Sequence, residues 1–164
     1  VASMAFAELC PSVTVEGGRP DEAYGIEHVR EFVEAALHLH EIPAQPSTTL
    51  SVYRTVATVR VPEGISFGFG DANADLQLME DLDQLNFRDL PAGTALARLT
   101  APGRGRLVVE DNDGADVSDR YLARSDGELR TRVPVTPSML TSDPRVIRQD
   151  CLCYLMERLS WPPA

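Results

Sequence analysis

The sequence predicts an α+β fold, in which a twisted antiparallel sheet made of a hairpin and a four-strand meander packs against about three helices. Short segments rich in Val, Thr and Tyr recur about every ten residues in the second half, with turn residues between them. Segments with an apolar residue at every third or fourth position flank these strands. With 164 residues and a hydrophobic fraction of 43%, the chain is long enough to bury a core without disulfides.

The first predicted element is an amphipathic helix over residues 20–41, which follows a weak strand candidate over 12–16. Pro20 suits the first turn of that helix, and Gly25 leaves open a later start near Ile26. The helical spacing of three or four positions is kept by Ile26, Val29, Val33, Ala36, Leu37 and His40. The opposite face is acidic, since it carries Glu27, Glu31 and Glu34.

The next elements are two strands and a second helix. Segments 50–61 and 65–69 are rich in β-branched and aromatic residues and flank a Pro-Glu-Gly turn, which predicts a hairpin. A helix is then expected from Asp71 or Asn73 to Leu85. Its apolar stripe consists of Leu78, Leu82 and Leu85, and its far side carries Glu80, Asp81 and Asp83.

The second half predicts a four-strand meander and a closing helix. The strand candidates cover 94–100, 105–110, 117–124 and 128–135. Asp126-Gly127 allows a two-residue turn between the last two strands, but a three-residue loop that also includes Ser125 is preferred, because it places Arg124 opposite Glu128. The closing helix begins near Pro144 and ends before Pro162. Its stripe consists of Ile147, Cys151, Tyr154 and Leu155.

The length favours a single domain over residues 1–164. Residues 1–19 are expected to be partly disordered or to include residues that precede a native start at Met4. The three cysteines are too few and odd in number for a disulfide framework, which favours the cytoplasm. No apolar run approaches the roughly 20 residues of a membrane span, so no membrane is expected as a partner.

Two segments resemble ligand sites, and neither has the required spacing. In "EDNDGADVSD" (110–119), placing Gly114 at the sixth position of a calcium loop puts Val109 first and Arg120 twelfth, where carboxylates are needed. In "FGFGDANAD" (67–75), acidic residues at a predicted helix start would repel a phosphate. A solvated hairpin tip is preferred for the first segment, and a strand-to-helix turn with acidic capping residues for the second. No catalytic, cofactor-binding or metal-binding residue is assigned, and no cofactor is expected.

Charge is distributed unevenly along the chain. Residues 1–93 hold 5 Arg against 15 acidic residues, whereas 94–164 hold 10 of each, so the net charge of −10 lies in the first part. Such a field disfavours nucleic acid as a partner. The partner-binding candidates are therefore the two acidic trios: Glu27, Glu31 and Glu34, and Glu80, Asp81 and Asp83.

The arginines of the second half allow an alternative site. Arg104 and Arg106 lie in a Gly-flanked turn, and Arg120, Arg130 and Arg132 share one face of the predicted meander. This group is suited to binding an anion. Acidic residues lie close to it in sequence, so a solvated sheet face of mixed charge is the preferred interpretation.

The order of elements resembles the YbjN-like and type III secretion chaperone-like families of small acidic proteins. The likeness covers about 75–159: a helix ending "DLDQLNF", the strand "DGELRTRVPV", and "LTSDPRVIRQDCLCYLMERL" as a closing helix. The resemblance implies a helix-and-sheet fold, a homodimer and polypeptide binding. It implies no enzymatic residues.

These observations favour a non-enzymatic, chaperone-like protein-binding module that uses an acidic helical surface and an apolar groove. A basic protein is the expected partner. The alternative is an inhibitor or immunity-type protein that neutralises one basic partner, which predicts a steep dependence of association on salt. The third possibility is an enzyme or small-ligand carrier without a recognisable motif.

Overall fold

A computed structural model describes residues 5–18, 23–41, 51–70, 73–100 and 104–160. The chain divides into two compact units, residues 1–49 and 50–164. The described residues form three α-helices and two mostly antiparallel sheets of four and five strands. The predicted α+β class is therefore confirmed, although several elements and their pairing differ from the prediction.

The first unit contains helix α1, Ala23–Leu37, inside the predicted range 20–41. The start predicted at Pro20 lies outside the described residues. Segment 11–17 forms no regular secondary structure, so the strand predicted over 12–16 is absent. This segment passes so close to α1 that a Cβ added at Gly25 would lie 1.7 Å from the carbonyl oxygen of Gly17. Glycine at position 25 is what allows the two backbones to touch.

The second unit consists mainly of short strands. In chain order they are β1 (Val52–Arg60), β2 (Phe67–Phe69), β3 (Leu76–Leu78), β4 (Ala95–Leu99), β5 (Val108–Asp111), β6 (Leu122–Ser125), β7 (Glu128–Thr131), β8 (Thr136–Ser138) and β9 (Cys153–Leu159). One sheet has the order β5-β1-β9-β8 and the other β2-β3-β4-β7-β6. Two short helices, α2 (Ser118–Tyr121) and α3 (Pro144–Gln149), and a 3-10 helix, Leu82–Leu85, connect strands.

The hairpin predicted over 50–61 and 65–69 is wrong, although both strands form. β1 pairs with β5 on one side and with β9 on the other, both antiparallel. β2 lies in the other sheet, parallel to β3. A turn after β1 was correctly predicted, but local turn residues do not decide which partner a strand takes when a longer partner is present elsewhere in the chain.

The helix predicted from Asp71 or Asn73 to Leu85 is also wrong over the described residues, which begin at Asn73 and leave Asp71 outside. Strand β3 occupies its first half, and only the 3-10 helix at Leu82–Leu85 is helical. Ala74, Leu76 and Leu78 are all buried, and this period of two is that of a strand. The carboxylate of Asp75 accepts hydrogen bonds from the backbone N–H (2.9 Å) and hydroxyl (2.7 Å) of Ser66, which fixes the entry of β3 beside β2.

The four-strand meander forms only in part. β4, β7 and β6 are neighbours in one sheet, but β5 belongs to the other sheet. The segment predicted as a strand over 117–124 begins as helix α2 and becomes extended only at Leu122.

The preferred three-residue loop between β6 and β7 is wrong, because Ser125 pairs with Glu128 across the two-residue turn Asp126-Gly127. Both turn residues have positive φ, 51° and 75°, as in the mirror-image turns that match strand twist.

The closing helix is much shorter than predicted, because it ends at Gln149 after six residues. Its start was correctly predicted: Asp143 caps α3 by accepting a bond from the N–H of Arg145, and Pro144 follows it. From Cys153 the chain is strand β9, along which Cys153 and Leu155 are buried while Tyr154 and Met156 are half-buried. Long pairing with β1 overrides the helix propensity of Leu, Met, Glu and Arg in this segment.

The hydrophobic core of the second unit contains residues of both sheets and of the short helices. Ala57 and Val59 of β1, Leu76 of β3 and Leu82 of the 3-10 helix are fully buried. Leu82 was correctly predicted as a core residue even though its surroundings were not.

We expect Leu82→Ala to lower the free energy of unfolding by about 2–5 kcal/mol, because it removes a fully buried side chain and leaves a cavity. Chemical denaturation of the variant measures this change. Leu159→Ala, at the exposed end of β9, is the matched control and should cost clearly less. Equal denaturation midpoints for both variants would contradict the described core.

A second expectation concerns Gly25→Ala. Alanine normally stabilises a helix interior by about 1 kcal/mol relative to glycine, but here the added methyl group has to displace segment 11–17 from α1. Hydrogen exchange should show faster exchange of the amides at 11–18 in this variant. Ala35→Gly, on an exposed part of the same helix, should leave those amides unchanged. Unchanged exchange in Gly25→Ala would show that the close approach does not exist in solution.

Candidate docking surface

Helix α1 carries an apolar stripe that the described residues of its unit leave uncovered. Ile26, Val33 and Leu37 lie within about 40° of one another around the helix, because each residue advances by about 100°. Their exposed fractions are 68%, 47% and 79%. Among the described residues of this unit, Gly25 alone is buried. The helix therefore has the amphipathic pattern of a packed helix, but the described residues of the unit leave these three side chains exposed.

Val29 lies on the same stripe and is half-buried. A Cβ at Gly17 would meet its side chain at 2.6 Å, so segment 11–17 covers this part of the helix. The stripe is therefore open at both ends and covered at one residue in between.

The first acidic trio lies along one flank of this stripe, roughly 80–140° around the helix from Ile26, and not on the opposite face as predicted. Two of its members share one cation: Arg30 pairs with Glu27, with Nε 3.0 Å from Oε2, and also with Glu34. The Arg30 guanidinium holds the pKa of Glu27 below its ordinary value. Glu31 makes no ion pair with any described residue. Together with Arg30, the flank carries a net charge of −2 at neutral pH.

The second acidic trio does not form a helical face, because the helix that was to carry it is absent. Glu80 and Asp81 lie in the turn between β3 and the 3-10 helix, and Asp83 is half-buried within that helix. Glu80 and Asp81 line a depression of about 360 Å³ together with Arg98. An acidic docking face on a second helix is therefore excluded for these three residues.

The carboxylates of the Asp-rich segment bind backbone amides. Oδ1 of Asp111 accepts from the N–H groups of Asp113 (3.0 Å) and Ala115 (2.9 Å), and Gly114 turns the chain with φ 80°. Oδ1 of Asp116 accepts from the N–H of Ser118 at 2.9 Å. The turn was correctly predicted, and the segments on its two sides are joined by an antiparallel bridge between Glu110 and Asp116, although the chain then continues into α2 and not into a strand. Within the described ranges, no three His, Cys, Asp or Glu side chains are grouped as metal ligands.

The histidines and cysteines have local structural roles. His28 stacks on Tyr24 with ring centroids 5.9 Å apart, and Nδ1 of His38 lies 2.7 Å from the Glu34 carbonyl near the helix end. Cys151 and Cys153 are free thiols in the core of the second unit, and burial raises the pKa of both. A thiol with a raised pKa is a poor nucleophile at neutral pH.

The five arginines noted in the sequence separate into two groups. Arg104 lies 3.6 Å from Asp75, and Arg130 lies 2.5 Å from Glu128. Arg106, Arg120 and Arg132 instead line one groove of the second unit. Arg124 joins them there and was missed, because the sequence suggested only its pairing with Glu128 in the wrong register.

No protein-family model, curated protein or solved structure matches this chain. Among the helices that the structure describes, none has the length and apolar character needed to cross a membrane.

Proposed function

We propose that the chain is a non-enzymatic protein-binding module that docks a partner protein through the apolar stripe and acidic flank of α1. The observation that carries this proposal is the exposure of Ile26, Val33 and Leu37 on a helix of 15 residues. Helices of this length are marginal in water, and in proteins their stability comes mainly from packing of the apolar face. A surface that covers the stripe supplies that packing.

The spacing of the stripe fits a helix that lies in a groove. Ile26, Val33 and Leu37 occupy positions i, i+7 and i+11, which is the pattern of anchors in helix-in-groove recognition. Full burial of a large aliphatic side chain contributes about 1.5–3 kcal/mol. Three such anchors are enough to dominate the affinity of a small interface.

The acidic flank determines the kind of partner. With a net charge of −2 beside the stripe, the best complement is an apolar groove bordered by Arg or Lys. A second copy of α1 would place like charges against each other. The homodimer implied by the resemblance therefore remains a proposal that requires contacts elsewhere in the chain, and sedimentation at several concentrations tests it.

The cytoplasm is the proposed location. Cys10, Cys151 and Cys153 are all free thiols. Free thiols are maintained in reducing compartments.

The main test places a charge on the stripe. Partners captured by the full chain from its native cells are identified by cross-linking, and the affinity of the purified partner is then measured. We expect Val33→Asp to weaken binding by roughly 10- to 100-fold, which is the equivalent of losing one buried aliphatic anchor. Ala35→Asp places the same charge on the opposite side of the same helix and should bind as the wild type does.

Circular dichroism of both variants is the control for helix content. Equal affinities of Val33→Asp and Ala35→Asp would overturn docking through the stripe. If both variants lose affinity and helix content together, the binding measurement is made with Leu37→Asp instead. This substitution lies at the end of the helix, where its effect on helix content is smallest.

Reversal of the first trio tests the role of charge separately. Glu27, Glu31 and Glu34 changed together to Arg should lower the association rate for a basic partner by roughly 10- to 1000-fold at low salt and far less at high salt. Dissociation should change less, because it depends on the buried contacts. Stopped-flow association at two salt concentrations measures both effects. Identical rates for wild type and variant would show that the trio only solvates the helix.

The alternative of an inhibitor for a single basic partner uses the same surface. It differs by predicting one cognate protein and a steep salt dependence of the affinity. The same stopped-flow series distinguishes it from a chaperone-like module, whose apolar contacts depend less on salt.

A further inference from the structure

The second unit contains an open groove of about 750 Å³ that lies apart from α1 in sequence. Its walls come from three segments of chain: residues 106–108 at the start of β5, residues 116–120 around α2, and the β6–β7 hairpin with Arg132 directly after it. This volume falls within the 300–1,000 Å³ of small-ligand sites.

The cationic side chains of this groove are Arg106, Arg120, Arg124 and Arg132. Seven other described arginines form an ion pair with a carboxylate, whereas none of these four does so with any described residue. An acidic chain with a net charge of −10 therefore leaves four guanidinium groups without a carboxylate partner in one place.

Neutral contacts hold three of these arginines in position. Nη2 of Arg124 donates to the carbonyl of Gly105 at 2.8 Å, and Nε of Arg132 donates to the carbonyl of Leu122 at 3.3 Å. The guanidinium of Arg120 lies 5.2 Å from the ring centre of Tyr121. A guanidinium has five N–H donors, so each keeps most of its hydrogen-bonding capacity.

Two carboxylates in the groove limit its charge. Asp116 is engaged by Ser118, whose hydroxyl lies 2.5 Å from Oδ1, and the pKa of Asp116 is lowered by this contact and by the charge of Arg106. Asp119 is exposed. Four guanidinium groups and two carboxylates leave two positive charges unbalanced.

The floor of the groove is apolar, since Leu107, Leu122 and Leu129 line it and each is buried in the core. A ligand that fits both features has anionic groups at one side and an apolar body at the other. Long polyanions such as nucleic acids fit less well, because the rest of the chain repels them.

We propose that this groove binds a small organic ligand with two negative charges, carried by a phosphate monoester or by a pair of carboxylates, whose apolar part lies on the leucine floor. Arginine suits both groups, because its planar fork donates two parallel hydrogen bonds to carboxylate or phosphate oxygens. This site is independent of the proposed docking surface on α1.

To test this, the full chain is titrated separately with phenyl phosphate, phthalate and neutral benzyl alcohol. Binding is measured by calorimetry and by NMR of the leucine methyl groups. We expect at least one dianion to bind and to shift the methyl signals of Leu107 and Leu122, and the neutral alcohol not to bind. Comparison of the two dianions identifies which anionic group the groove prefers. Absence of binding by both dianions at millimolar concentration would overturn the proposal.

The variants are chosen so that folding is preserved. Arg106→Gln and Arg120→Gln, both at exposed side chains, should each weaken binding of the dianion roughly 10-fold, as expected for loss of a charge-assisted hydrogen bond. Arg104→Gln is the matched control, with the same change of charge two residues from Arg106 and outside the groove, and should bind as the wild type does. Asp119→Asn should tighten binding several-fold. Equal weakening in Arg104→Gln would reduce the effect to general charge and overturn the site.

A hexaglutamate peptide is the last ligand to be titrated, and it tests whether the groove prefers an acidic protein segment. If it binds more than about tenfold tighter than both small dianions, with the same dependence on Arg106 and Arg120, the groove is a surface for acidic protein segments and the small-ligand proposal is wrong. Weaker binding of the peptide than of a dianion supports the proposal.

Discussion

The pairing of β1 with β9 is the constraint on which the second unit depends. The two strands pair from Val52 with Leu159 to Val59 with Cys153, with one register shift in β1. The N–H of Leu152 continues the contact by donating to the Val59 carbonyl at 2.8 Å. Because β5 takes the other side of β1 and β8 the other side of β9, every strand of this sheet is positioned by that one pair. The pairing also stops the segment after α3 from continuing as a helix.

The sequence predicted the fold class and most strand positions, but it predicted pairing poorly. β1 was found because β-branched residues mark it, β2 because aromatic residues alternate along it, and β4 and β7 because turn residues recur about every ten positions. The two wrong helices share one cause: a segment whose apolar residues are spaced by three and four can also form a strand, in which a different set of residues is buried. In β3 the buried residues are Leu76 and Leu78, and in β9 they are Cys153 and Leu155, two positions apart. The choice between these periods is made by distant strands. The helices on which the resemblance to chaperone-like proteins rested are consequently each interrupted by a strand, β3 in the first and β9 in the second.

The candidate surfaces were predictable to different degrees. The stripe of α1 and its acidic neighbours follow from helical spacing, so Glu27, Glu31 and Glu34 lie on the predicted helix, although beside the stripe and not opposite to it. The arginine groove is assembled from three segments of the second half of the chain. The net charge of this half does not indicate the groove, because residues 94–164 hold equal numbers of Arg and acidic residues. What distinguishes the arginines of the groove is that they form no ion pair with a described carboxylate. Which arginines form such pairs depends on strand register and on the position of α2.

The cationic side of the groove is made only of arginine, and the chain contains no lysine. A guanidinium keeps its proton at any pH at which the protein is folded. Acetylation and ubiquitination of lysine side chains have no target in this sequence. The charge of these four arginines therefore does not change with pH, and a cationic side without lysine cannot be neutralised by lysine acetylation.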